Sequence, residues 1–201
     1  MNSAVVIGTS AGGLKALEKI FSALSKNFIF PLLIVLHRHS DSDDFLPKYF
    51  NTISSLHFKE AEEKETVKKG YAYIAPADYH LLVEEDFTLS LNVDEKVFYC
   101  RPAIDVLFET AAEVYGENLI GIVLTGANED GTKGMETIKK LGGLTVVQDP
   151  KYAEVDYMPR SVINNVKVDY ILNLNEIADL LNALNETNNM QNGMLYTGLT
   201  R

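Results

Sequence analysis

Apolar residues along this chain fall into two alternating patterns. Short runs rich in β-branched residues occur at 4–7, 32–36, 72–75, 119–124, 144–147 and 170–172. Runs that are apolar at nearly every position suit strands buried on both faces of a parallel sheet. Between several of them, apolar residues recur at spacings of three and four. Leu14, Leu17, Ile20, Phe21 and Leu24 form one such face, and Val106, Leu107, Thr110, Ala111 and Val114 another. Met135, Ile138 and Leu141 repeat the spacing, as do Ile177, Leu180, Leu181 and Leu184. That spacing gathers side chains on one side of a helix. Gly142-Gly143 is a natural helix stop before the run at 144. Strand and helix in alternation predict an α/β fold: a doubly wound, mainly parallel sheet with helices on both faces.

One segment departs from this rhythm. Residues 80–83 and 88–93 alternate apolar with polar, with Glu84-Glu85-Asp86 between them. This predicts an antiparallel hairpin appended to the sheet. No linker-like stretch or internal repeat interrupts the chain, so residues 1–184 are read as one domain. After Leu184 the composition turns asparagine-rich, and residues 185–201 are expected to be a flexible tail. A docking peptide is the other reading of that tail.

Composition narrows the function. The chain has 201 residues, 46% hydrophobic and 23% charged, as expected of one globular domain. The formal net charge of −10 argues against nucleic acid and against docking on an anionic membrane. No apolar run is long enough to span a bilayer, and the first residues lack the basic start of a signal peptide. A cytoplasmic location is expected. Cys100 is the single cysteine, which excludes an intrachain disulfide and a cysteine-rich zinc site.

The first strand runs into Gly8-Thr9-Ser10-Ala11-Gly12-Gly13, and a helix follows. A dinucleotide fingerprint would need glycine where Ser10 stands, and a P-loop would need lysine where Leu14 stands. The turn does fit G-x-S-x-G, the nucleophile elbow that lifts a serine clear of the sheet. A serine N-cap on the helix is the competing reading. A serine nucleophile needs a base and an orienting acid. His37 directly follows the second parallel strand, at the edge where open α/β sheets build their sites. His39 is the reserve, while His57 and His80 read as surface or satisfied imidazoles. The acid candidate is Asp130, in the glycine-rich turn after the strand at 119–124. An N-cap for the helix beginning near Thr132 is its alternative. The α/β-hydrolase fold orders these groups differently, so a different topology is implied.

Together the motifs resemble the catalytic domain of the chemotaxis protein-glutamate methylesterase family, the CheB type. The pieces are Ile7-Gly8-Thr9-Ser10-Ala11-Gly12-Gly13, His37 after an apolar strand, and Ala72-Tyr73-Ile74-Ala75-Pro76. They continue with Arg101-Pro102-Ala103-Ile104-Asp105-Val106-Leu107-Phe108, Leu124-Thr125-Gly126 through Asp130-Gly131 with Gly134-Met135, and Met158-Pro159-Arg160. The resemblance implies a triad of Ser10, His37 and Asp130, with backbone N–H groups near Ala11 and Ala127 as oxyanion donors. It implies hydrolysis of glutamyl methyl esters on chemoreceptors with release of methanol, and deamidation of glutamines. No metal or cofactor is implied. Arg101, Met158 and Arg160 are carried as substrate-binding candidates, with structural ion pairs or caps as the plainer reading of the arginines. The chain departs from common family patterns at Leu36-His37-Arg38-His39, Ala127 and Asn128, which bears on substrate preference. The elbow stands at residue 8, so a stand-alone unit without a receiver domain is expected, controlled by a separate receiver or methyltransferase protein. A non-catalytic module binding receptors or a methyltransferase is the alternative function.

Overall fold

The first apolar run becomes β1 (Ala4–Thr9), whose six residues are all buried. Its side chains alternate between two cores: Ala4 and Val6 join one, Val5 and Ile7 the other. A strand with core on both faces must lie inside a covered sheet. The computed structural model describes residues 3–38 and 45–197 and shows this sheet. After β1 come α1 (Gly13–Ala23), β2 (Leu32–Leu36), α2 (Phe45–Ile53), β3 (His57–Glu60) and β4 (Tyr71–Ile74). Then follow β5 (His80–Val83), β6 (Leu89–Asn92), α3 (Ile104–Tyr115), β7 (Leu119–Val123), α4 (Thr132–Lys140) and β8 (Leu144–Gln148). The chain continues through α5 (Tyr157–Asn165), β9 (Tyr170–Leu172) and α6 (Leu174–Thr197).

Seven strands form one sheet in the order β3-β4-β2-β1-β7-β8-β9, parallel throughout. One core takes its helical side chains from α3, α4 and α5. The other takes them from α1, α2 and α6, around the ring cluster Phe21, Phe50 and Phe58. The expected doubly wound α/β sheet is therefore observed.

One expectation needs adjustment. The hairpin β5–β6 is antiparallel, but it forms its own two-stranded sheet and is not hydrogen-bonded into the main one. It rests on α3, where Thr110 Oγ1 accepts from the Val83 amide, and on the 64–67 segment through backbone bonds at Leu89 and Phe87. At the other end of the chain, α6 runs through Leu184 and on to Thr197. Asn185 is buried, and its amide group brackets the loop before β2: Oδ1 accepts from Ile29 N and Nδ2 donates to Asn27 O. Asn182 does the same with Ser25 N and Ala23 O. Part of the asparagine-rich composition thus serves to dock a helix.

Candidate active site

Strand order reverses at β1, which has β2 on one side and β7 on the other. In open α/β sheets such a switch point leaves a crevice at the carboxyl ends of the strands. Ser10 stands at that end of β1. Its amide donates to Thr125 O, just after β7, at 3.0 Å, and the next amide of β2, His37 N, donates to Thr9 O at 3.0 Å. Ser10, His37 and the 125–130 turn are thereby held at one sheet edge.

The two motif glycines do different work. A Cβ on Gly8 would lie 2.3 Å from Ile104 Cγ2, so glycine lets the start of α3 press against β1. Gly12 has a φ of 78° and is the N-cap of α1, a left-handed position that favours glycine. The capping alternative for Ser10 is therefore not realised. The Ser10 hydroxyl has no hydrogen-bond partner among the described residues. Thr125 ties the turn together, accepting from Val155 N and donating to Ala11 O through its hydroxyl.

Asp130 is also not the cap of its own helix, whose N-cap is Gly131. Its fully buried carboxylate caps α3 instead, accepting from Ile104 N at 2.7 Å and Asp105 N at 2.9 Å. The oxygen bonded to Ile104 also meets His37 Nε2 at 2.9 Å. With Nε2–H donating to Asp130, neutral His37 carries its lone pair on Nδ1, the nitrogen available to act as base.

That nitrogen already has a neighbour: Cys100 Sγ lies 3.4 Å from His37 Nδ1. Asn128 Nδ2 sits 3.6 Å from the same sulfur. Burial lowers the pKa of His37, but the hydrogen bonds and charges of Asp130 and Cys100 outweigh it and raise the imidazole from 6.5 to about 9. Behind Asp130, burial pushes the Asp105 carboxyl up to about 7, despite the bond its Oδ1 accepts from Gly134 N. Its Oδ2 is buried without a partner.

Ala11 and Ala127 are exposed residues, and their amides donate to no protein acceptor among the described residues. Arg101 lines a cavity of about 340 Å³ next to His37, but its guanidinium is committed to Asp78 Oδ1 and to the carbonyls of Val93 and Asp94. Met158 is wholly buried, packed where a Cβ on Gly126 would otherwise sit. It shapes the 126 turn and offers no surface to a substrate. Arg160 is exposed on α5, paired with Asp156 at 2.6 Å, and does not line the cavity. His80 is a satisfied core imidazole between Ala103 N and Glu95 O. His39 falls outside the described residues. No cluster of three metal-ligating side chains occurs among the described residues. Cys100 was not distinguished by the sequence motifs, although it directly precedes Arg101-Pro102. Its contact with His37 spans 63 positions and is created only by the fold.

The family described as CheB methylesterase matches residues 5–181. A Leptospira interrogans protein named putative protein-glutamate methylesterase/protein-glutamine glutaminase is 49% identical over 185 residues, covering 92% of this chain and 96% of that one. A Thermotoga maritima protein named protein-glutamate methylesterase/protein-glutamine glutaminase is 38% identical, and the match spans 88% of this chain but only 52% of that protein. The solved structure of a Thermotoga maritima CheB methylesterase catalytic domain superposes with a TM-score of 0.87 at 37% identity, covering 92% of this chain and 99% of that chain.

Proposed function

The chain belongs to the CheB methylesterase family, and on that premise we propose that it hydrolyses γ-methyl esters of glutamate side chains in chemoreceptor-type proteins. Methanol is the leaving product. The observation that carries the reading is the convergence of Ser10, His37 and Asp130 at one switch point, with His37 Nε2 bonded to Asp130.

In the proposed mechanism His37 Nδ1 takes the proton of Ser10 Oγ as that oxygen attacks the ester carbonyl. The tetrahedral oxyanion accepts hydrogen bonds from the Ala11 and Ala127 amides. His37 then returns the proton to the departing methoxide, giving methanol and an acyl-serine. Water, deprotonated by the same imidazole, releases the glutamate. Asp130 orients His37 and stabilises the imidazolium. Glutamine deamidation is the same sequence with ammonia leaving.

A second reading is favoured by one observation, the 3.4 Å contact of Cys100 with Nδ1. In it the thiol is the nucleophile and Ser10 is not needed. Methanol release from a methylated receptor fragment separates the two. Ser10→Ala is expected to lose at least about 1000-fold in kcat, as for other nucleophile knockouts. Full activity in Ser10→Ala with loss in Cys100→Ala would reverse the assignment. A binding module of the same fold would release no methanol, and its Ser10 would not be labelled by a fluorophosphonate.

A further inference from the structure

The lip of the cavity beside His37 is a turn of uncommon build. Val97 N donates to Cys100 O at 3.1 Å, and Cys100 N returns a bond to Val97 O at 2.8 Å. Between them Phe98 and Tyr99 both lie at positive φ, 47° and 62°. Two left-handed residues closing a two-residue loop are the pattern that Asn-Gly fills without strain. Two aromatic residues pay for it in Cβ–carbonyl crowding. Such conformations persist where the surroundings impose them, and they concentrate at functional sites. Here the next residue, Cys100, is fixed on His37, and Arg101 is clamped to Asp78 and to the carbonyls of Val93 and Asp94. The outcome is a turn closed by two backbone hydrogen bonds that leaves Tyr99 96% exposed at the edge of the site.

Charge at the same lip runs against the charge of the molecule. The cavity is lined by Arg38, Lys96 and Arg101 against a single carboxylate, Asp78, in a chain of net charge −10. Arg38 is paired with Glu60 and Arg101 with Asp78. Lys96 has no ion-pair partner among the described residues. An exposed ring and an uncommitted ammonium therefore stand together beside the catalytic imidazole.

We propose that the 96–99 turn is the substrate-recognition element of this site and that it reads an acidic helix. Lys96 pairs with a free glutamate carboxylate one turn from the esterified side chain, and the Tyr99 ring packs on the aliphatic stems between them. This rests on the methylesterase reading. Each turnover converts an ester to a carboxylate, so a segment with several modifiable glutamates presents both groups. Positions four apart on a helix are neighbours on one face, about 5–6 Å between Cβ atoms.

The test uses the full chain and two helical peptides, one with glutamates at i and i+4 and one with glutamines there. Fluorescence anisotropy is expected to give wild type a preference of about threefold to fivefold for the glutamate peptide, the range of a solvent-exposed ion pair. Lys96→Gln is expected to lose that preference. Equal affinity of wild type for both peptides, or an undiminished preference in Lys96→Gln, overturns the role of Lys96. The double variant Phe98→Asn, Tyr99→Gly relaxes the turn, so its Tm is expected to rise while both peptides bind more weakly. Binding as tight as wild type in that folded variant overturns the role of Tyr99. Methanol release from a third peptide, methyl-esterified at i with a free glutamate at i+4, is scored separately. A carboxylate preference without methanol would sink the esterase reading and still support recognition by the turn.

Discussion

Asp130 and Cys100 act on His37 from opposite sides of its ring, and both favour the protonated form. A base held at about 9 is mostly protonated at neutral pH. The rising limb of kcat/KM against pH reports the free-enzyme pKa of the base. Removing the thiol removes one of the two groups that raise it. Cys100→Ala is therefore expected to move the rising limb to lower pH, measured from kcat/KM for a small ester between pH 5 and 10. An unmoved limb would show that the thiol has no electrostatic hold on the imidazole. Asp130→Asn should lower kcat by about 10⁴, because an amide does not enforce the same imidazole tautomer. Ser10, His37 and Asp130 were legible as strand-end residues because each closes a recognisable strand-to-turn pattern. Cys100 was not, because nothing in Tyr99-Cys100-Arg101 encodes the distant partner.

At the scale of elements, the site depends on a helix that contributes no proposed reacting group. The first two amides of α3 hold the Asp130 carboxylate, and Ile104 at its start packs against Gly8 of β1. Gly8→Ala is expected to destabilise the fold by about 1–3 kcal/mol through overpacking. It should also lower activity beyond the loss of folded protein, because displacing Ile104 moves the donors that aim Asp130. Urea denaturation and active-site titration together would check both effects. Normal kcat per folded molecule would rule out this coupling. Fully buried strands and amphipathic helices such as α1 and α3 were readable because a single period sets each of them. α2 and α5 did not stand out. Each carries an internal proline, Pro47 and Pro159, and each is short. The hairpin was readable as a hairpin, but its separation from the main sheet depends on contacts with α3 and the 64–67 segment.

For the whole molecule, two titrating groups contribute stability that declines as pH rises. The folded-state pKa of His37 lies above its unfolded value of 6.5, so its contribution is full below 6.5 and is lost as pH passes through about 9. Asp105 is raised from 3.8 to about 7 by burial, so the folded state increasingly resists ionisation across that interval. The urea midpoint of wild type relative to Asp105→Asn should therefore decline from about pH 4 to about pH 7 and then level off. A constant difference across that window would contradict a buried neutral Asp105. Asn185→Ala should cost about 1–3 kcal/mol, since it strands Ile29 N and Asn27 O beneath α6.

The direction of β1 has a practical consequence. Ala4 opens the strand at one rim of the sheet and Thr9 closes it at the other, so Ser10 is separated from the strand's entry by about 20 Å of extended backbone. A reporter joined ahead of residue 4 thus emerges on the rim opposite the proposed site. A short rigid junction would leave the crevice open. A covering module would have to be led around the molecule on a tether of at least about six extended residues. Tether length and stiffness, rather than the attached module's own affinity alone, would then set how often the crevice is shut.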